Sequence, residues 1–359
     1  MRILVVNAGS SSLKLGLLGD DDGVLAEANI DAPRARVDED ALRAWIAEAG
    51  EVDAVGHRIV HGGERFRGPV AIDDEVVEAL RGLTDLAPLH QPKSLDALAA
   101  VGAALPGTPA VACFDTAFHA TLAPAAATYA VPSAWRERWG VRRFGFHGLS
   151  HAYASRRAVE MTGASRVVTC HLGAGASLAA VRDGRSVDTT MGFTPLEGLV
   201  MATRSGSVDP GLLLWLLERE RLSADDMSAA LEHESGLFAL AGTDDMREVL
   251  ARAEADDGDA RLALDVYVHR LRGGIASMAA ALGGLEALVF TGGVGDRSGP
   301  VRAAAADGLG FLGVAVDPAR DAAAAADADV SADGALVRTL VVRAREDVEI
   351  ARQVREVLG

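Results

Sequence analysis

The chain opens on four consecutive apolar residues, Ile3 to Val6, halted by Asn7, Ala8, Gly9, Ser10, Ser11 and Ser12. Leu13, Leu15 and Leu17 then alternate with Lys14, Gly16 and Leu18, which predicts a β-hairpin with a Gly/Ser tip. Further apolar runs at 53–60, 109–114, 166–172, 177–182, 286–291 and 337–342 predict strands. Helical periodicity covers 38–49, 74–82, 93–104, 150–161, 210–219, 244–254, 258–282 and 346–358. Asp209 before Pro210 supplies an N-cap and a first-turn proline, and Asp183 with Gly184 predicts a hairpin turn between two alternating runs. Strands interleaved with helices make the chain α/β. The Ala/Asp-rich stretch 319–334 holds little that could pack and reads as a solvated helix and loop.

The hairpin pattern recurs. Strand, glycine tip and strand at 3–18 return at 166–182, where His171, Leu172, Gly173, Ala174, Gly175, Ala176 and Ser177 take the place of 7–12. Two related hairpins, one per domain, would face each other across a cleft and hold opposite ends of a phosphate chain through backbone N–H groups. A third glycine turn, 291–295, directly follows a strand. One such loop is ordinarily a tight turn filled with turn formers. Three at strand ends point to an anion.

Composition narrows the ligand. The 359 residues suggest two domains at about 150 residues each, and 49% hydrophobic with 24% charged residues suits a folded protein and not a disordered one. Lys and Arg total 35 against 51 Asp and Glu, a net charge of −16 that repels nucleic acid and anionic lipid. No apolar run approaches the roughly 18 residues of a membrane span, and the N-terminus turns polar too soon for a signal peptide. Cys113 and Cys170 are too few for a disulfide framework or a zinc cage and sit in core-like strands. The expectation is a cytoplasmic protein with no nucleic-acid or membrane partner. An anionic ligand would then need local cations.

Such cations are present. Arg58 lies between apolar neighbours in 56–64, which also carries His57 and His61, and Arg204 follows Thr203 in a Ser/Gly turn. A surface ion pair is the ordinary use of an arginine, but one set among apolar residues needs a partner. Two such guanidiniums make a fork for a carboxylate or a phosphoryl group. Asp115 stands immediately after the 109–114 strand, either as a helix cap or as a site carboxylate. Residues 142–151 interleave Arg142 and Arg143 with Phe144, Phe146, His147 and His151, a ligand pocket more than a nucleic-acid stack in so acidic a chain.

These motifs, together with 87–90, 186–198 and 203–210, resemble those of acetate kinases, from residue 1 to about 350. The resemblance implies a phosphotransferase of the acetate and sugar kinase, heat-shock chaperone and actin superfamily. It implies an α/β fold of two domains of duplicated actin-like ATPase topology with a cleft between them. The N-terminal domain would be 1–115 plus 347–359, with the C-terminal helix folded back onto it, and the C-terminal domain 116–346. The co-substrates would be ATP or ADP and acetate or another short-chain carboxylate, with Mg2+, or Mn2+ in its place, and the assembly a homodimer joined through the second domain. By the same resemblance Asn7 and Glu346 organise the metal. Ser10, Ser12 and Lys14 form the first phosphate loop, and His171, Leu172, Gly173, Ala174 and Gly175 the second. Arg58 and Arg204 bind acetate and the moving phosphoryl group, His147 is the transition-state histidine, and Asp115 the essential carboxylate. Val60, Leu89, Phe146 and Pro195 line the methyl pocket, with His90 beside it. Asp245, Met246 and Arg247 flank the adenosine, as do Gly293, Val294, Gly295, Asp296 and Arg297 of its glycine loop.

Phosphoryl transfer to an already ionised carboxylate needs positioned cations more than a general base. Asp115 is therefore expected to orient magnesium or an arginine and not to take a proton. The family pattern is broken at Ala174, where an Asn is usual, at Gln91, at Asp296 and Arg297, and at Ala344 and Arg345. Losing one hydrogen bond to a charged oxygen removes about 1.5–3 kcal/mol, so weaker nucleotide binding is expected. Alternatives are a propionate or butyrate kinase, the same acyl chemistry with GTP or pyrophosphate as donor, and a catalytically idle nucleotide-binding switch. The joint presence of Arg58, Asp115, His147 and Arg204 speaks against the last.

Overall fold

The computed structural model describes residues 1–8, 12–31, 38–86, 91–325 and 327–359, which fall into two compact units. Unit 1 comprises Met1–Ala120, Phe146–Tyr153 and Arg345–Gly359; unit 2 comprises Thr121–Gly145 and Ala154–Ala344. Among the described residues no helix is long and apolar enough to cross a membrane.

Unit 1 is built on a six-stranded sheet of β1 (Ile3–Ala8), β2 (Ser12–Leu18), β3 (Val24–Asp31), β4 (Ala54–Ile59), β5 (Val70–Ala71) and β6 (Ala110–Phe114), in the order β3-β2-β1-β4-β6-β5. The apolar run Ile3 to Val6 is buried throughout because β1 is a central strand, parallel to β4 and antiparallel to β2. One face packs Leu4, Val6, Leu13, Leu15 and Leu17 against Leu42 and Ile46 of helix Glu39–Ala49 and Ala97 and Val101 of helix Gln91–Ala104. On the other, helix Glu346–Leu358 lies over β4, and a Cβ at Gly56 would stand 2.4 Å from Ile350 Cγ2. Only glycine lets that helix settle so closely. The C-terminal helix thus packs within unit 1.

Unit 2 repeats the plan with β7 (Arg166–Leu172), β8 (Ala176–Arg182), β9 (Arg185–Thr189), β10 (Ala287–Thr291), β11 (Ala328–Asp329) and β12 (Arg338–Val341), in the order β11-β12-β10-β7-β8-β9. Strand for strand, β7 to β12 match β1, β2, β3, β4, β5 and β6 in position, and the two sheets share every parallel and antiparallel pairing. The recurrent hairpin is therefore the central hairpin of each sheet, and the duplicated actin-like topology is present. Asp183 and Gly184 turn β8 into β9 with φ of 49° and 75°, the left-handed pair that a two-residue hairpin demands. Helix Gly258–Leu282, capped by Asp257 and ended by left-handed Gly283, buries Ala263, Tyr267, Leu271, Ile275 and Met278.

Three expectations change. Residues 146–153, placed by sequence in the second domain, cluster with unit 1, where Gly148 packs so tightly on Asp115 that a Cβ would lie 2.0 Å from its carbonyl oxygen. The 319–334 stretch is not simply solvated: Asp321 is buried in an ion pair with Arg302, Val330 and Ser331 are buried, and β11 pairs with β12. The glycine turn after β10 winds into a short helix, Gly292–Gly295. Cys113 and Cys170 are free and buried, with both thiols pushed up by burial.

Candidate active site

Three neighbouring parallel strands of unit 1 deliver one polar cluster at their carboxyl ends, where sheets of this kind place site residues. Asn7 comes from β1, Arg58 from β4, and Asp115 follows β6, its N–H donating to Ile59 O at 3.0 Å. Arg58 Nε and Nη2 both donate to Asp115 Oδ2, at 3.0 and 2.7 Å, while Nη1 donates to Asn7 Oδ1 at 3.1 Å. The guanidinium is thus fixed in plane and azimuth by two strands besides its own. Asp115 is 1% exposed; among the described residues its Oδ1 has no partner at hydrogen-bond geometry, although the Leu149 backbone N–H lies close enough to lower its carboxyl. Burial pushes its carboxyl up, Arg58 opposes that, and the negative charge of Glu346 adds to it. Burial alone would lower Arg58; the charges of Asp115 and Glu346 outweigh it and raise the net value.

His147 enters beside this cluster in the left-handed region, φ 55°, between Phe146 and the helix Gly148–Thr162. Strain of that kind persists where neighbours enforce it. Here the enforcement is visible: His119 Nε2 holds Phe146 O at 3.1 Å, His119 packs edge-on to His151, and Gly148 abuts the Asp115 backbone. Phe146 is 1% exposed and meets His61 edge-on at 5.6 Å, and Val60 beside His61 is buried too. Lys14 lies opposite Asn7 in the β1–β2 register and is exposed, with Ser12 half-buried at the start of β2. Ser10, Leu89 and His90 lie outside the described residues.

Unit 2 holds the second guanidinium. Arg204 is half-buried, donates through Nη1 to Pro195 O at 3.3 Å, and has Met201 Sδ at 3.8 Å. It forms no ion pair among the described residues, and burial lowers its pKa, with Glu232 opposing. The segment carrying Pro195 is braced from behind. Arg143 Nη1 donates to the carbonyls of Thr189, Thr190 and Met191, and its Nη2 to Glu197 Oε1 at 2.6 Å. Tyr129 donates its hydroxyl to the other oxygen of Glu197 and accepts the Phe193 N–H.

A cavity of about 790 Å³ in unit 2 is lined by Gly173, Ala174, Asp245, Met246, Arg247, Gly293, Val294 and Arg297, together with Ala202, Leu237 and Tyr267. Its two glycine loops stand side by side: Gly292, φ 80°, presses on the Leu172 backbone, and a Cβ there would lie 2.7 Å from Leu172 O. Asp245 caps helix Met246–Glu254 and pairs with Arg247, whose hydrogen bond lowers its carboxyl to about 2. The lining does not include His171, Leu172, Gly175, Gly295 or Asp296. Leu172 and Gly295 are buried beneath the loops, and Asp296 lines a neighbouring cavity of about 880 Å³.

A family model described as the acetokinase family matches residues 36–352. The chain belongs to the acetokinase family. A Synechococcus acetate kinase is 44% identical over 100% of this chain and 99% of its own length. The crystal structure of Porphyromonas gingivalis acetate kinase matches with a TM-score of 0.92 and 34% identity, covering 100% of both chains. A propionate kinase from Francisella tularensis matches with a TM-score of 0.92 and 31% identity, over 99% of this chain and 100% of that one.

Within this acetokinase-family chain, the structure adds residues to which the sequence assigns no role. Nothing in the spacing of His119 shows a ring reaching the Phe146 carbonyl. The Tyr129, Arg143 and Glu197 brace joins positions as far as 68 apart in the chain; Arg143 lies in the cation-aromatic cluster and Glu197 in the 186–198 motif, but Tyr129 carried no signal. Among the described residues no three His, Cys, Asp or Glu side chains converge as a metal cage. The oxygen donors of Asn7, Asp115 and Glu346 nonetheless fit magnesium, which needs one or two carboxylates, keeps its waters and leans on substrate phosphates. Asp115 Oδ1, buried and without a partner at hydrogen-bond geometry among the described residues, is the observation that favours this fit.

Proposed function

We propose that this chain is an acetate kinase that transfers the γ-phosphoryl group of ATP to acetate, in line and reversibly, giving acetyl phosphate and ADP. The observation that carries the reading is the Arg58 fork held on buried Asp115 and Asn7 at three strand ends. Such a guanidinium is preset for a carboxylate or phosphoryl oxygen and spends nothing on reorientation.

Acetate is already ionised at neutral pH, so the barrier lies in bringing anions together and in the charge spread over the equatorial phosphoryl oxygens. Arg58 directs its N–H groups to the acetate and phosphoryl oxygens. Arg204, half-buried and in no ion pair among the described residues, offers the moving phosphoryl group a cation that water does not already satisfy. His147, pinned by its strained backbone, donates to the same transferring group. Asp115 orients Arg58 and moves no proton. Val60, Phe146, Pro195 and Leu89 exclude water from the methyl group, with His90 beside them. Lys14, Ser12 and Ser10 serve the phosphates, and the glycine loops at 173–175 and 292–297 the nucleotide. Asn7 and Glu346, with Asp115 beside them, would hold magnesium, or manganese in its place, and the ion would neutralise phosphate charge.

We read the assembly as a homodimer joined through unit 2. Helix Pro210–Arg219 supports this, since it buries none of its residues and exposes Leu212, Leu214, Trp215 and Leu217. The free, buried thiols support a cytoplasmic setting. A second reading, propionate kinase, is supported by a propionate kinase structure that matches at the same TM-score of 0.92, and one methylene changes binding by only about 1–3 kcal/mol.

Acyl phosphate trapped as hydroxamate, with ATP, magnesium and a series of acetate, propionate and butyrate, tests both. Acetate is expected to give the highest kcat/KM. A several-fold preference for propionate selects the second reading, and nucleotide binding without any acyl phosphate overturns both.

A further inference from the structure

The cavity loop 292–298 is fixed at both ends by different means. Its start is set by Gly292, whose left-handed backbone lies against Leu172. Its end is set by Arg302, which is 2% exposed and sits on helix Gly299–Asp307. Arg302 Nη1 donates to the carbonyls of Gly295 and Asp296, at 3.0 and 2.9 Å. Those are carbonyls at the end of the short helix Gly292–Gly295, groups that otherwise lack partners. Arg302 Nε donates to Asp321 Oδ1 at 2.6 Å and Nη2 to Asp321 O at 3.3 Å, with Asp321 itself 6% exposed on helix Pro318–Ala323.

We propose that Arg302 and Asp321 are positioning residues that set nucleotide affinity by holding Gly293 and Val294 in place on the cavity wall. The inference rests on reading that cavity as the nucleotide site. Neither side chain touches the nucleotide in this account; both act through backbone. A buried ion pair is a poor device for stability alone, since well-packed apolar residues serve as well or better. Here the pair does something apolar residues cannot, because only a guanidinium with its plane fixed by a carboxylate reaches two loop carbonyls at once.

Two variants separate this from a merely structural role. Arg302→Lys keeps the charge but cannot fork to Asp321 and both carbonyls. Asp321→Asn keeps the shape and an acceptor oxygen but removes the charge. Calorimetry with ADP is expected to show Kd about tenfold weaker for Arg302→Lys, about 1.4 kcal/mol, and about threefold weaker for Asp321→Asn. In the hydroxamate assay the KM for ATP rises by the same factors, while kcat and the acetate KM stay within about twofold. A lowered Tm with unchanged ADP Kd in the folded protein overturns the proposal. The wild-type chain supplies a test independent of whether the variants fold. The amides of Asp296 and Ser298, bonded to Gly292 O at 2.8 Å and Val294 O at 2.9 Å, are expected to resist hydrogen exchange before nucleotide is added. Fast exchange there overturns the proposal as well. A wild-type chain that fails to bind ADP overturns the nucleotide reading and this inference with it, whereas equal binding by all three proteins overturns the positioning role alone.

Discussion

Replacing Asp115 by Asn separates what the cluster does for stability from what it does for chemistry. Arg58 spends two N–H groups on Asp115 Oδ2, at 3.0 and 2.7 Å. Asn presents an acceptor of the same shape, so both bonds survive, now from the charged guanidinium to a neutral oxygen. Bonds to an ionised acceptor are worth about 1.5–3 kcal/mol each, and losing the carboxylate charge removes up to about half of that, so the pair loses about 1.5–3 kcal/mol of hold on the guanidinium. If that hold is what presets Arg58, kcat falls by about 10- to 150-fold. Stability should hardly follow. The carboxyl is 1% exposed, with its charged form disfavoured chiefly by burial, and a neutral amide removes that cost. The expected result is a Tm within a few degrees of wild type and a hydroxamate rate one to two orders of magnitude lower at saturating substrates. A variant that retains more than a third of the activity, or loses activity only as it unfolds, refutes the reasoning.

Gly148→Ala places a Cβ 2.0 Å from Asp115 O and 2.8 Å from Phe118 Cβ, so it should cost about 3 kcal/mol in denaturant titration and depress kcat by displacing His147. Buried His57 and His61 are lowered from 6.5 to about 4, mainly by burial. The unfolded chain therefore binds more protons between those values. Stability is complete above pH 6.5 and falls toward pH 4, by about 3 kcal/mol per histidine, and His57→Gln should flatten that slope in urea titrations. Leu214→Glu with Trp215→Glu, on a helix with no buried residue, should halve the mass in light scattering without lowering protomer stability; a wild-type monomer contradicts the dimer reading.

The architecture was legible wherever a single pattern dominates its segment. The run Ile3 to Val6, the Asp183 and Gly184 turn and the Asp209 cap each declare one structure, and the repeated hairpin foretold two sheets of one topology. The strand Val24–Asp31 gave no such signal, since Val24 and Leu25 are half-exposed and its alternation is broken by alanine. Residues 319–334 misled because aspartates among alanines read as solvated until Arg302, 19 residues before Asp321, is found beside it. At the site, Arg58 announced itself as a charge among apolar residues, yet its two partners arrive on other strands, and local sequence does not encode which oxygen each N–H meets. Asp296 shows a related effect: motif order places it with Gly293 and Val294, and the structure has it lining the adjoining cavity.

The central claim is that fixed guanidiniums make an acyl phosphate from ATP and a carboxylate. Hydroxamate formation by the wild-type chain and by Arg204→Ala, with ATP, magnesium and acetate, measures it directly. The account predicts ready turnover for the wild type and a loss of roughly three to five orders of magnitude for the variant, with its Tm unchanged. Comparable rates from both proteins contradict it.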